Sequence, residues 1–556
     1  MSRKASAFQQ ARWAYEPKVP AVLRAVTIGI EESPATHTDA AHDDEIKGLF
    51  PNTFNKPLVR LVENGGPGLS NSPLTVGVVL SGGPAPGGHN CIAGLFEALQ
   101  TANPSSRLLG FIGGPKGVID GHFKEITAEL VHEYRNTGGF DMIGSGRDKI
   151  ESAADLQKSK ESLTYHGVQS LVVIGGDDSN TNAAILAEFF VAENAGIQVI
   201  GLPKTIDGDM KNEIIESSFG FDTAAKTYSN LVANVARDAM SSRKYTHFIK
   251  LMGRAASHVA LEVALQVQPN ITLISEEVRA KGLRLGDVVE DIVDMVVKRS
   301  EAGRSYGIVV VPEGLLEFLA DFESLLKDLG HIHKTEEDVL QSFDTDEARR
   351  QFVNSKLPAE SAKIYSSLPD DIQHVLLRLD KHGNIPVSQL QTEALLIDLV
   401  KLRIRELKRM GNFNGSFEPL AHFFGYEGRC VAPSNFDADY CYALGMAAAH
   451  LVRAGLTGYT VFASNMSESA DQWVMGGVPV TSMLNMELRK GKMKPVIKKA
   501  LVDLEGAPFR RFAENRANWK YTDNFLFAGP IQYYGPGEVC DALTATLSLE
   551  REVVPA

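Results

Sequence analysis

Residues 171 to 182 read Leu-Val-Val-Ile-Gly-Gly-Asp-Asp-Ser-Asn-Thr-Asn: an apolar, β-branched run stops at two glycines and presents two adjacent aspartates. Two glycines let the backbone turn tightly and come close to a bound group. Paired carboxylates at such a turn, Asp177 and Asp178, either hold a divalent cation or crowd the site with negative charge. A second cluster is Gly201-Leu-Pro-Lys204-Thr205-Ile206-Asp207-Gly208-Asp209. There Lys204 can neutralise phosphate oxygens, Thr205 can bond one and Asp207 can accept a proton. A third is Ser81-Gly82-Gly83-Pro84-Ala85-Pro86-Gly87-Gly88-His89-Asn90. The N–H groups of such a loop can face an anion, with a helix N-terminus behind it. It contains no GxxxxGK[ST] and is not a Walker A loop.

Each cluster also has a plain structural reading. The glycine loop can be a strand-to-helix connection, and the Lys/Asp cluster an Asx turn beside a solvated lysine. Met252-Gly253-Arg254, Pro312-Glu313-Gly314 and Gly425-Tyr426-Glu427-Gly428-Arg429 are weak one by one, since a lone charge at a strand end is commonly a surface charge. Together the turns supply the parts of phosphoryl transfer: a metal carboxylate, a base, and cationic clamps on developing charge.

Elements must hold these turns in place. Short β-branched runs precede them at Leu74–Leu80, Leu108–Ile112, Val168–Ile174 and Ile197–Leu202, with helical stretches between. Near-continuous apolar strands alternating with helices predict a parallel sheet covered on both faces. Ligands then bind beyond the carboxyl ends of the strands. A second α/β segment follows, with strands at Thr246–Leu251 and Gly307–Val311. From about Leu315 to Arg409 the strand pattern lapses. Leu390, Leu395, Leu396, Leu399 and Leu402 fall at helical spacing amid charges, and Leu368-Pro369-Asp370-Asp371 reads as a helix start. This stretch is a helical insertion, and strand character resumes at Phe423. Residues 1 to 73, broken by Pro17, Pro20, Pro34, Pro51 and Pro57, read as an arm wrapping a larger body.

The chain of 556 residues is long enough for several domains, and 44% hydrophobic with 22% charged residues is ordinary globular composition. A net charge of −13 argues against a nucleic-acid or anionic-membrane partner. It leaves room for an anionic substrate in a locally basic cleft. No run approaches the roughly 18 apolar residues of a membrane span. Cys91, Cys430, Cys441 and Cys540 form no CxxC pair, so neither a zinc site nor a disulfide framework is expected, and a reducing, cytosolic setting fits. Met1–Arg24 is basic at first and poor in acids but lacks a secretory apolar core; it reads as an N-terminal extension. His331 and His333 are expected to be solvated, and Cys91 to pack at the start of a helix.

In their order, GGPAPGGHN, GGDDS, PKTIDGD, MGR, PEG and YEGR resemble the phosphofructokinase family, in particular the long subfamily of its pyrophosphate-dependent branch. The motifs span residues 82 to 429. The resemblance implies an α/β fold of two phosphofructokinase-type three-layer domains with mainly parallel sheets. Residues 74–213 with about 430–490 would bind donor and metal, and 214–429 with about 491–556 the sugar phosphate. The arm (1–73) and the helical insertion (315–410) would be additions to that body. It further implies that Gly82 lies against pyrophosphate, that Asp177 binds Mg²⁺, and that Asp207 takes the proton from the 1-hydroxyl of fructose 6-phosphate. Thr205 and Ile206 would touch the sugar. Met252, Gly253, Arg254, Glu313, Tyr426, Glu427, Gly428 and Arg429 would line its site, and Arg147 would lie near the transferred group. Lys244 and Tyr245 would reach the sugar phosphate of a neighbouring subunit, making a homodimer the smallest assembly. The implied reaction is readily reversible and cytoplasmic.

The donor can be argued from two residues. ATP-using members of the family have glycine where this chain has Asp178, and a small residue at Lys204. An aspartate fills the space of a nucleotide's α-phosphate and repels it, by roughly 4 kcal/mol at about 4 Å and an effective dielectric near 20. Lys204 would supply charge to the leaving phosphate of a short donor. The competing expectations are an ATP-dependent kinase of the same fold, opposed by Asp178 and Lys204, and a non-catalytic sugar-phosphate-binding subunit, opposed by the presence of both Asp177 and Asp207.

Overall fold

The β-branched runs before the glycine turns form the strands of two separate sheets in the computed structural model. It describes residues 7–65, 68–379, 385–489, 492–527, 541 and 543–550. Cys540 and the first six residues of the N-terminal extension lie outside the described residues. In chain order the strands are β1 (Ile28–Ser33), β2 (Leu58–Glu63), β3 (Thr75–Leu80), β4 (Arg107–Phe111), β5 (Phe123–Glu125), β6 (Ser170–Gly175), β7 (Gln198–Thr205) and β8 (Phe219–Gly220). They continue as β9 (Tyr245–Leu251), β10 (Ile271–Thr272), β11 (Gly307–Pro312), β12 (Glu418–Phe424), β13 (Tyr459–Ser464), β14 (Val474–Pro479), β15 (Leu484–Arg489) and β16 (Lys492–Ile497). The chain divides into two compact units. The first is Met1–Thr227 with Tyr426–Ala500 and Pro530–Arg551; the second is Tyr228–Gly425 with Leu501–Gly529 and Glu552–Ala556.

The first unit holds a sheet in the order β1-β2-β14-β13-β7-β6-β3-β4-β5, with β8 beside β7. Its centre, β13 to β4, is parallel, and β5, β14, β2 and β1 add antiparallel edges. The N-terminal arm thus contributes two strands to the sheet. Every residue of β6 is buried, as a strand covered on both faces requires. Leu80 pairs with Ile174 and Gly175 with Pro203, so β3, β6 and β7 end level. The same edge therefore carries Ser81, Gly176 and Lys204. Behind it the helices Gly88–Ala102 and Asn435–Arg453 cross at glycines. A Cβ on Gly94 would lie 2.1 Å from the Tyr442 carbonyl oxygen, and one on Gly445 would lie 2.0 Å from that of Cys91. Cys91 packs there, fully buried, beside the Cys441 thiol.

One expected boundary shifts. The apolar run was expected to end at Leu202, before Pro203, yet β7 continues through Pro203, Lys204 and Thr205. Proline lacks a donor and is tolerated near a strand end, where it faces Gly175. Lys204 therefore lies on a strand instead of in a solvated turn.

The second unit holds the parallel sheet β10-β11-β9-β12. Leu251 pairs with both Pro312 and Phe424, so the residues after β9, β11 and β12 also leave the sheet level. The insertion is helical, with helices Ala320–Thr335, Glu337–Ser342, Asp346–Lys356, Ala359–Ser367, Asp370–Leu376 and Thr392–Arg409. Their apolar faces share a core with Val309 and Val311 of β11. The apolar stripe is narrower than expected: Leu395 and Leu396 are buried, whereas Leu402 is half exposed. Strand character resumes at Glu418, ahead of Phe423. His331 is solvated, but His333 is not. It falls one turn after buried Leu329 on the core face, with Nε2 3.2 Å from the Leu376 carbonyl.

Candidate active site

The level ends of β3, β6 and β7 gather most of the singled-out turns of the first unit. Asp177 opens the helix Asp177–Ala192, after Gly176 at its N-cap, and a carboxylate is favourable at that end of the dipole. Asn180 holds this turn from within: its Nδ2 donates to the carbonyls of Gly175 (2.7 Å), Gly176 (3.0 Å) and Leu202 (3.2 Å). Its Oδ1 lies 1.9 Å from where a Cβ on Gly201 would stand, so only glycine fits there. Ser179 Oγ donates to Ser81 Oγ at 2.8 Å, tying the aspartate turn to the glycine loop.

That loop differs from a simple anion nest. Gly82 has φ +86°, and its N–H donates to the Gly146 carbonyl at 2.8 Å, so this amide is already committed. What faces the loop is cationic. Lys204 Nζ lies 3.5 Å from the place of a Cβ on Gly82, and Arg429 Cζ and Arg147 Nη2 lie 3.5 and 3.7 Å from that of Gly83. The loop's glycines make room for these cations. Gly87, at φ +101°, passes Cys441 so closely that a Cβ would stand 2.3 Å from its Sγ.

Lys204 is 9% exposed, and its Nζ donates to the Gly83 carbonyl at 2.9 Å. Burial lowers its pKa to about 8; Asp207 opposes that shift, Arg429 adds to it, and Asp177 and Asp209 oppose it. The Thr205 hydroxyl accepts from the Asp207 N–H at 3.0 Å and shapes the turn that presents the carboxylate. Ile206 is buried beneath that turn. Tyr426–Gly428 form a single 3₁₀ turn, with Arg429 stacked 5.2 Å over the Tyr426 ring. Tyr426 and Glu427 are exposed and Gly428 is buried.

Two expectations about charge change. Asp178 is not an isolated negative charge: Lys149 Nζ lies 3.2 Å from its Oδ1, and the pair is partly solvated. Solvent and the paired ammonium both weaken its field, so the volume of the side chain carries more of any exclusion. Asp177 has company too. Lys499 Nζ lies 3.4 Å from Asp177 Oδ2 and 3.5 Å from Asp209 Oδ2. The chain thus already places a cation between two hard carboxylates, a donor set suited to Mg²⁺. Among the described residues no three His, Cys, Asp or Glu side chains converge as a closed metal site.

The second unit carries the other predicted residues. Glu313 N–H donates to the Leu251 carbonyl at 3.0 Å, and Gly314 N–H to that of Gly253 at 3.3 Å. Glu313 Oε2 accepts from the Gly253 N–H at 3.4 Å. A Cβ on Gly314 would stand 1.9 Å from the Arg254 carbonyl oxygen, so the two turns can meet only at a glycine. Met252 is buried and Arg254 exposed. Lys244 is exposed at the start of β9, its Nζ 4.7 Å over the Tyr245 ring.

Lys149, Asn180, Asp209 and Lys499 were not singled out by sequence reasoning. Asp209 sat inside a quoted cluster without a role, and Lys499 ends the basic stretch Lys492–Lys499, which follows no motif.

A family model described as Phosphofructokinase matches residues 75–351. The chain is 51% identical over 548 residues to the Pyrophosphate–fructose 6-phosphate 1-phosphotransferase of Porphyromonas gingivalis, covering 98% of this chain and 99% of that protein. It is 49% identical to the protein of the same name from Treponema pallidum, covering 98% and 97%. A crystal structure of a pyrophosphate-dependent phosphofructokinase from Marinobacter aquaeolei superposes with a TM-score of 0.52 at 15% identity, over 87% of this chain and 98% of that one. At that identity the likeness concerns the fold.

Proposed function

This chain belongs to the phosphofructokinase family, and we propose that it transfers a phosphoryl group from pyrophosphate to the 1-hydroxyl of fructose 6-phosphate. The products are fructose 1,6-bisphosphate and inorganic phosphate. The observation that carries the reading is Lys204: a buried ammonium under the glycine loop, ringed by Arg429, Asp207, Asp177 and Asp209. A short, highly charged donor needs such a cation at its leaving end. Full-length relatives with the corresponding name support it.

Asp207, presented by the Thr205 turn, accepts the proton of the 1-hydroxyl as that oxygen attacks the phosphorus. The bond from phosphorus to the bridging oxygen breaks, and its electrons leave with the departing phosphate, which Lys204 neutralises. Arg147 flanks the loop and clamps the equatorial oxygens, while Tyr426, Glu427, Gly428 and Arg429, the last also beside Gly83, close on the sugar phosphate. Asp177, with Asp209 at hand, would hold Mg²⁺, which when bound supplies positive charge to the donor's oxygens. Met252, Gly253, Arg254 and Glu313 bind the sugar, and Lys244 and Tyr245 serve the sugar phosphate of a neighbouring copy in a homodimer or larger assembly. No described helix is long and apolar enough to cross a membrane. The buried Cys91 and Cys441 are free thiols, which supports a reducing, cytoplasmic setting.

An aldolase-coupled assay at equal Mg²⁺ tests the reading: turnover with pyrophosphate should far exceed turnover with ATP. Faster turnover with ATP overturns it.

A further inference from the structure

The hairpin β15–β16 and the chain just after it are bound to the donor-side turns at both ends of one lysine. Ile497 N–H donates to Thr181 Oγ1 at 3.2 Å, and Thr181 Oγ1 donates to the Asp177 carbonyl at 2.9 Å. Ala500 N–H donates to the Asp209 carbonyl at 2.8 Å. Lys499 lies between these anchors. Its backbone is therefore fixed to the two segments that carry Asp177 and Asp209, and its ammonium lies within 3.5 Å of both carboxylates. Such anchoring is unlike a surface lysine that meets an acid in passing, whose pair contributes little.

We propose that Lys499 is a donor-positioning residue, a built-in cation that balances Asp177 and Asp209 in the free enzyme and turns to the donor's phosphate oxygens when a divalent ion takes those carboxylates. The proposal rests on the reading of this edge as the pyrophosphate site. Two unpaired carboxylates at the mouth of an anion site would repel a pyrophosphate arriving ahead of its metal, and a tethered ammonium removes that repulsion. The same ammonium and a divalent ion cannot share one pair of carboxylates, because like charges at contact distance repel. The lysine's four-carbon stem lets the charge move while its backbone stays bound.

This competition has a signature that a merely structural lysine lacks. In Lys499→Met, donor-free enzyme should bind Mn²⁺ several-fold more tightly by electron paramagnetic resonance, because a competing cation is gone. The same variant should bind methylenediphosphonate with metal about tenfold more weakly by calorimetry, the loss expected of a charge-assisted contact. Fructose 6-phosphate affinity should not change, and Lys499→Arg should restore analogue binding. Both constants unchanged, both weakened, or only one moved overturns the proposal. If the unaltered enzyme prefers ATP, the functional reading fails, while the Mn²⁺ measurement still reports whether Lys499 competes with metal.

Discussion

The two units build binding turns in different ways. In the first, charged side chains crowd together: Asp207, Arg429, Asp177 and Asp209 all act on Lys204, and Lys499 links two of them. Asn180 and Ser179 hold the backbone beneath. In the second, backbone meets backbone across Gly253 and Gly314, while Arg254 and Lys244 face solvent. The first unit works by charge balance and the second by the shape of its turns. In the proposed reaction the first arrangement would suit a highly charged inorganic donor and the second a sugar rich in hydroxyls.

Changing the proposed base, Asp207, gives the largest expected effect. Asp207→Ser should lower kcat by about 10³-fold, within the range for general bases, while fructose 6-phosphate binding by calorimetry stays near its original value. Unchanged turnover would remove Asp207 from the mechanism.

A shape change should strike the other unit alone. Gly314→Ala puts a Cβ 1.9 Å from a backbone oxygen, so the Arg254 turn must move. Stability should fall by about 1–3 kcal/mol in denaturant titration, as overpacking typically costs. KM for fructose 6-phosphate should rise with little change in KM for pyrophosphate. An equal rise in both would break the division between the units.

Charge balance predicts a pH effect confined to the donor side. Lys204 is an acid with its pKa lowered to about 8, so it is charged below pH 8 and neutral above. KM for pyrophosphate should rise as pH passes upward through about 8, by up to about tenfold per unit. Lys204→Arg, which keeps its charge, should flatten that rise, whereas KM for fructose 6-phosphate should lack it. A smaller effect concerns donor choice. Asp178→Gly with Lys204→Gly should raise the ratio of ATP to pyrophosphate use. Lys149→Met, which frees the charge of Asp178 from its ion pair, should lower residual ATP use a few-fold in the same coupled assay. No change with Lys149→Met would assign exclusion to volume alone.

Much of the donor side was legible in the chain. The strands before Ser81 and Gly175 announced themselves because a covered parallel strand is a run of apolar residues ended by glycine, and the aspartates follow directly. Lys204 was found, but its burial was not, since Pro203 suggested a turn where the strand runs on. Lys149 and Lys499 were invisible. A lysine 29 residues from Asp178, or one beyond a hairpin, carries no local pattern naming the acid it meets.

Local order and residue type were enough to place the parallel strands and the glycine turns that end them, and to single out residues suited to phosphate, metal and base. Those properties depend on periodicity and side-chain pKa, which a linear chain displays. The tertiary structure alone decided which charges neutralise which. It paired Asp178 with Lys149, sank Lys204 beneath the glycine loop and set Lys499 between Asp177 and Asp209. Coulomb energy depends on distance through space and on burial, and the fold sets both.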